Sequence, residues 1–178
     1  MAGTLITQNI QGPSSGANAN KILIPSGQTL DVSGGTFTPS AGQVVQIVHN
    51  TTNSNQITSS TSFVASYLTG SITPTSTDSK ILIIMSTGID TNNNNNTQQV
   101  TIYRDNTTNL GTGSSNYFAY GWGVNSRLIV PCTITFVDSP ATTSSTTYTC
   151  YFKSGGSYQT ESPGTLQKQQ ITLMEIAQ

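Results

Sequence analysis

The period of the apolar residues constrains the fold most, because it is two rather than the 3.6 of a helix. Residues 127–137 carry an apolar side chain at every second position, and alternate residues of a strand share one face. The residues of this face are Leu128, Val130, Cys132, Ile134 and Phe136. No stretch has the i, i+3, i+4, i+7 spacing that an amphipathic helix requires. The pattern predicts an all-β chain.

Seven further segments resemble strands: residues 44–49, 62–68, 80–87, 100–104, 117–120, 146–153 and 170–176. The segment at 80–87 is apolar on both faces over residues 81–85, which is typical of a central strand. Clusters of Gly, Pro, Ser and Asp separate the segments and indicate turns. About eight short strands predict an antiparallel β-sandwich, and an eight-stranded jelly roll is the preferred arrangement.

The N-terminal residues differ from the rest of the chain. Residues 1–42 place Leu5, Ile6 and Ile10 in a background of small and polar residues, which cannot form a core. We therefore predict an extended N-terminal docking arm, residues 1–42, before a sandwich domain, residues 43–178. A Pro-Ser, Gly-Gln pattern occurs twice in and beside this arm. Two interpretations stay open for it, short stacked β-rungs and two similar turns.

The charge content excludes several classes of partner. Charged residues make up 7% of the chain, against about 25% in ordinary globular proteins, and the net charge is -1. Six scattered Lys and Arg form no basic patch, so we expect no nucleic-acid binding. No secretory signal is expected at the N-terminus, and no apolar run is long enough for membrane insertion. Low charge gives little repulsion between copies and favours a protein that lives in an assembly.

Catalytic and cofactor motifs are missing from the sequence. The chain has one histidine, His49, which we interpret as a partly buried structural residue rather than a base. One His and two distant Cys exclude a zinc site, and no phosphate-binding loop is present. Glu161 is expected in a loop, Glu175 in the last strand, and most aspartates beside turns. We predict a protein that is not an enzyme and has no cofactor or metal.

Three smaller features receive predictions of their own. Cys132 and Cys150 are expected as buried free thiols. The Asn-rich run at residues 92–96 fails the EF-hand pattern and is expected as a solvated loop. The aromatic residues Tyr117, Tyr120 and Trp122 have two open interpretations, a contact surface for a receptor or glycan and packing in the core.

Five segments in a fixed order carry a resemblance to a known family. They are Ile-Leu-Ile-Pro-Ser-Gly-Gln-Thr-Leu-Asp-Val (22–32), Ala-Gly-Gln-Val-Val-Gln-Ile-Val (41–48), Ser-Thr-Ser-Phe-Val (60–64), Ser-Ile-Thr-Pro-Thr-Ser-Thr-Asp-Ser-Lys-Ile-Leu (71–82) and Ile-Thr-Leu-Met-Glu-Ile (171–176). Their order, from about Lys21 onward, resembles tail-fibre-like virion structural proteins of marine phages, cyanophages especially. The resemblance implies a β-domain on the virion surface, commonly trimeric, without catalytic residues.

These features together give three functional expectations. The first is a fibre-type virion component that forms a homotrimer and docks to tail or capsid proteins by its arm residues Leu5, Ile6 and Ile10. The second is a capsid decoration or cement protein that stabilises the head. The third is a module that binds a host receptor or glycan through Tyr117, Tyr120 and Trp122. All three place the chain on the tail or capsid surface of a virus particle.

Overall fold

The structure is a computed structural model that describes residues 10–19, 21–31, 34–35, 38–91, 96–111, 113–123, 126–156 and 158–178. Eleven strands and no helix occur in these ranges, which confirms the all-β prediction. It follows that none of the described segments forms a helix long and apolar enough to cross a membrane.

The first sheet has four main strands. In spatial order they are β1 (Val44–Thr52), β11 (Gln169–Ile176), β4 (Lys80–Thr91) and β8 (Leu128–Asp138). Two short strands, β10 (Thr160–Ser162) and β2 (Gln56–Thr58), extend the sheet beside the last residues of β4. The long β4 is central, as its apolar residues predicted, because it pairs with β8 on one side and with β11 and β10 on the other.

The second sheet also has four main strands. Their spatial order is β3 (Val64–Ile72), β9 (Thr146–Ser154), β5 (Thr97–Arg104) and β7 (Ala119–Trp122). The short β6 (Thr108–Asn109) pairs with the other end of β5. All pairings in both sheets are antiparallel.

The connections between the two sheets identify the topology. Along the chain, the main strands fall in the first, second, first, second, second, first, second and first sheet. With the spatial orders β1-β11-β4-β8 and β3-β9-β5-β7, this is an eight-stranded jelly roll, a double Greek key. The predicted antiparallel sandwich is confirmed, and the preferred jelly-roll arrangement with it.

The core lies between the two sheets and follows the alternation seen in the sequence. Strand β4 contributes Ile81, Ile83 and Met85 from the first sheet, and all three are fully buried. From the second sheet, β9 contributes Tyr148, Cys150 and Phe152. The predicted inner face of β8 also points inward, since Cys132 and Ile134 are buried. Both cysteines are buried and free, as predicted.

The chain divides into two compact units, Met1–Thr38 and Pro39–Gln178. The described residues of the first unit form turns and no strand. The Pro-Ser, Gly-Gln pattern forms a turn in both copies, because the N–H of Gln28 donates to the carbonyl of Pro25 and that of Gln43 to Ser40. Gly27 and Gly42 have φ of 80° and 84°, as in type II turns. Two similar turns therefore describe the repeat, and the described arm residues contain no β-rung.

Candidate interaction surfaces

The outer face of the first sheet carries a line of aliphatic side chains. Ile47 is the register partner of Met174, Met174 that of Leu82, and Leu82 that of Val137. We call these four residues the aliphatic row. They span all four main strands on the face that points away from the core. Ile47 is 59% exposed and Val137 47% exposed, and the two middle residues are half-buried.

This row is unusual for an outer face of an antiparallel sandwich, which ordinarily carries polar residues toward water. Ile84 and Ile176 lie beside it on the same face, each two residues along its strand. Polar residues such as the pair Ser86 and Thr133 separate the row from Ile129, which is exposed toward the other end of β8. The row and these two isoleucines therefore form an apolar patch at one end of the face, and such patches commonly mark interaction surfaces.

The outer face of the second sheet is polar and aromatic instead. Pairs of hydroxyl groups form hydrogen bonds between β3 and β9 on this face. The hydroxyl oxygens of Thr69 and Thr149 lie 3.0 Å apart, and those of Ser71 and Thr147 lie 2.8 Å apart. Beside these pairs lies an open cleft of about 600 Å³. Its lining residues are Thr61, Ser62, Phe63, Gln99, Tyr103, Asn109, Ser114, Ser115, Asn116, Tyr117 and Lys153.

A second transverse line of four residues crosses this face, and three of them line the cleft. Gln99 of β5 is the register partner of Tyr120 on one side and of Lys153 on the other. The Lys153 ammonium lies 4.7 Å from the centre of the Phe63 ring. We call Tyr120, Gln99, Lys153 and Phe63 the aromatic row. It runs from β7 to the residue before β3 and has an aromatic ring at each end.

Further rings stand beside the aromatic row. Tyr103 and Tyr151 stack with centroids 4.1 Å apart, and Phe63 lies 6.2 Å from Tyr103. Tyr117 stacks on Tyr120 with centroids 5.9 Å apart. The cleft therefore combines three aromatic rings, Phe63, Tyr103 and Tyr117, with a lining that is otherwise polar.

Part of the aromatic segment is exposed, as a contact surface requires, and part of it packs in the core. Tyr120 is 47% exposed and Trp122 is 55% exposed, and Tyr117 is half-buried in the cleft wall. Phe118 packs inward instead, with its ring 5.1 Å from that of Phe136. The structure thus displays the three predicted contact residues, while their binding role stays a prediction.

Sequence reasoning missed the rest of the cleft. Gln99, Tyr103 and Lys153 lie on β5 and β9, and Phe63 precedes β3. They are brought together by strand register across positions far apart in the chain. No local motif marks them. The one available signal was the presence of Tyr103 and Lys153 at outward positions of strands that were themselves predicted.

Asp90, Glu161 and Arg127 form a charged cluster at one end of the sandwich. The Arg127 guanidinium donates to both oxygens of Asp90 at 2.8 and 2.6 Å, and also binds Glu161. Burial and the Asp90 carboxylate raise the pKa of Glu161, while Arg127 lowers it by less. Since both carboxylates are buried and share one cation, the cluster is a structural link between β4, β10 and the segment before β8.

This cluster corrects two predictions. Glu161 lies in β10 rather than in a loop, because it pairs with Asp90 of β4 and Ile57 of β2. Asp90 does not cap a turn, because its side chain is fully buried against Arg127. Asp138 departs from the turn prediction in the same way, since it binds Arg104 and accepts from Tyr148.

Glu175 has a different environment from Glu161. It is buried and accepts from the Gln46 amide, the Ser79 hydroxyl, and both the N–H and hydroxyl of Thr75. Burial raises the pKa of Glu175, but these hydrogen bonds outweigh it and hold the pKa below its usual value. The carboxylate therefore ties the β3–β4 connection to β11.

His49 and Asn96 both differ from their predicted environments. His49 is exposed rather than partly buried, because it points outward from β1, where its Nδ1 lies 2.9 Å from the Thr172 hydroxyl. Asn96 is buried rather than solvated, because its amide donates to the carbonyls of Tyr158 and Gln159. Leu5, Ile6 and residues 92–95 lie outside the described residues, and Ile10 is 61% exposed. Within the described ranges, no three His, Cys, Asp or Glu side chains form a group that could hold a metal ion.

Comparisons with known proteins do not assign the chain to a family. No protein-family model matches the chain, and no curated protein matches it. Among solved structures, a chain in the structure of infectious bursal disease virus, Gx strain, is similar at 13% identity and a TM-score of 0.39. The match covers 90% of this chain and 44% of that chain, so this chain spans less than half of its neighbour's length. The resemblance to marine phage proteins stays a prediction.

Proposed function

We propose that this chain is a structural component of a virus particle and that it assembles through the aliphatic row. The row carries the proposal, because a line of Ile47, Met174, Leu82 and Val137 on an outer face exposes apolar surface to water in a lone chain. A second copy placed on this face would remove that surface from water, which is the main favourable contribution to protein association. The resemblance to tail-fibre-like virion proteins, which are commonly trimeric, leads us to propose a homotrimer as the oligomer.

Two further observations support a place in a particle. Jelly rolls are common in viral capsid domains, although they also occur in lectins and cupins, so the fold alone does not decide function. The order of five sequence segments resembles virion proteins of marine phages. A chain with 7% charged residues also gives little repulsion between neighbouring copies.

The arm is proposed to dock the trimer to a tail or capsid protein by adding an extended segment to that protein's sheet. The residues proposed for this contact are Leu5, Ile6 and Ile10, and Ile10, which the structure describes, is 61% exposed. A fibre-type component is the form we propose, and a decoration protein over the shell differs from it in copy number.

Self-association of the recombinant chain tests the use of the aliphatic row. Sedimentation velocity should give a trimer for the wild type and a smaller species for the Ile47→Thr/Val137→Thr double variant. The matched control is Ile57→Thr, an isoleucine of β2 that is also exposed and lies outside the row. A monomeric wild type, or a double variant that still forms the trimer, would contradict the proposal.

Deletion of residues 1–20 tests the arm separately. The truncated chain should fold and form the same oligomer, because the sandwich unit begins at Pro39. It should be missing from particles assembled in its presence, as measured by immunoblotting of purified particles. Incorporation at the level of the full chain would remove the docking role of the arm.

A further inference from the structure

We infer that the cleft on the outer face of the second sheet is a binding site for a glycan. This inference goes beyond the proposed structural role and does not depend on it, since the cleft belongs to the sandwich unit alone. Gln99 and Lys153 form its base, Phe63 and Tyr103 form one wall, and Tyr117 with the neighbouring segment 114–116 forms the other.

Unused hydrogen-bonding groups point to a hydroxyl-rich ligand. Among the described residues, the Gln99 and Asn116 side-chain amides have no hydrogen-bond partner, although both line the cleft. An amide supplies two donors and an acceptor, which match the hydroxyl groups of a sugar. The Asn109 side chain is already hydrogen-bonded within the protein. Its amide oxygen, Oδ1, accepts from the Thr101 hydroxyl and from the Gly111 N–H.

The aromatic rings of the cleft provide a second kind of contact for a sugar, in addition to the amides. The apolar face of a sugar ring packs on aromatic side chains, which are present as Phe63, Tyr103 and Tyr117 at the cleft. The stacked pair Tyr117 and Tyr120 continues the aromatic surface along β7 toward Trp122. A chain of sugars therefore fits this face better than a single compact ligand does.

The cleft is lined by one basic residue and no acidic residue, which disfavours some classes of ligand. None of its lining residues is acidic, and Lys153 has no ion-pair partner within the described ranges. One lysine does not provide the cationic surface that a polyphosphate chain requires, which disfavours an oligonucleotide. A sugar carrying one carboxylate or sulfate would pair with Lys153, while a neutral sugar would use the amides and rings alone.

The test begins with an array of defined neutral, carboxylated and sulfated oligosaccharides, probed with the full chain. The best oligosaccharide is then titrated calorimetrically against the wild type and variants. We expect binding about tenfold weaker in Gln99→Ala and in Tyr117→Ala, the usual effect of removing a central contact. The matched control is Tyr67→Ala, because Tyr67 is an exposed tyrosine of β3 that does not line the cleft.

Lys153→Met separates the two kinds of sugar. Lys153→Met should weaken binding of an acidic oligosaccharide more than binding of a neutral one, and equal weakening of both would contradict pairing of the acidic group with Lys153. Circular dichroism and the melting temperature confirm that each variant is folded. Binding to no oligosaccharide on the array, binding that Gln99→Ala and Tyr117→Ala leave unchanged, or binding that Tyr67→Ala weakens equally would overturn the inference.

Discussion

Arg127 and Asp90 form a two-point ion pair in which Nε lies 2.8 Å from Oδ1 and Nη2 lies 2.6 Å from Oδ2. Asp90 is fully buried, and the backbone around it is also bonded: its carbonyl accepts from the Thr160 hydroxyl and its N–H donates to Gln98. Gln98 in turn donates to the carbonyl of Glu161. One buried network thus connects β4, β5 and β10 at the end of the sandwich.

Replacing Arg127 should destabilise the fold, because it leaves the buried Asp90 and Glu161 carboxylates without their cation. For Arg127→Met we expect the free energy of unfolding to fall by about 3 kcal/mol, at the low end for broken buried pairs because the guanidinium is partly open to water. Urea unfolding at neutral pH measures this. Lys80→Met, at a surface lysine, is the control and should change stability little. Equal stability of the two variants would contradict the structural role.

Glu175 should make the fold sensitive to acid. Its pKa is lower in the folded chain than in the unfolded chain, so its contribution is present above the unfolded pKa and is lost as pH falls through the folded pKa. Glu175→Gln should be less stable at pH 7 by about 1–3 kcal/mol, since it disturbs buried donors. Its stability should also fall less than that of the wild type between about pH 5 and about pH 3.

Glu161→Gln is the control for this pH dependence, because the pKa of Glu161 is shifted in the opposite direction. A raised folded pKa gives a contribution that is present below the unfolded pKa and is lost as pH rises through the folded value. The Gln variant should therefore keep the acid-induced loss that Glu175 causes. Chemical denaturation across this pH range checks both, and an unchanged acid response in Glu175→Gln would contradict the assignment.

The two thiols should be unreactive in the folded chain. Burial raises the pKa of Cys150 to about 12 and raises that of Cys132, and the thiolate is the reactive form. An aromatic disulfide reagent at about pH 8 should therefore label neither thiol quickly in buffer, and both in denaturant. Rapid labelling of either thiol in the native chain would show that the sheets do not enclose it.

The core should respond strongly to a cavity in β4. Ile83 is fully buried between the sheets, so Ile83→Ala should cost about 2–5 kcal/mol of unfolding free energy. Ile57→Ala removes the same atoms at an exposed position and should cost far less. Urea unfolding of the two variants gives the comparison, and similar costs would argue against the assigned inner face of β4.

Much of the fold was predictable from local pattern. The eight predicted segments coincide with the eight main strands, because alternation of buried and exposed residues is a property of each strand by itself. The inner face of β8 and the central position of β4 were predictable for the same reason. Strand order was harder to predict from the sequence, since it depends on which strands pair within each sheet.

The polar clusters and both surface rows could not be predicted in this way. Asp90, Arg127 and Glu161 are far apart in the chain, and the pairing of β10 with β4 brings them together. The aliphatic row likewise joins Ile47 to Val137 through the registers of three strand pairs. Asn96 was misplaced because its neighbours are polar, while its own amide meets buried backbone carbonyls.

Quantitative mass spectrometry of purified virus particles tests the proposed virion role directly. We predict that the chain is present at a copy number an order of magnitude or more below that of the major capsid protein, as expected of a fibre docked at the tail or a vertex. One copy for each one to several capsid subunits would contradict the fibre form and assign the chain to shell decoration. Absence of the chain from the particles would contradict the virion role itself.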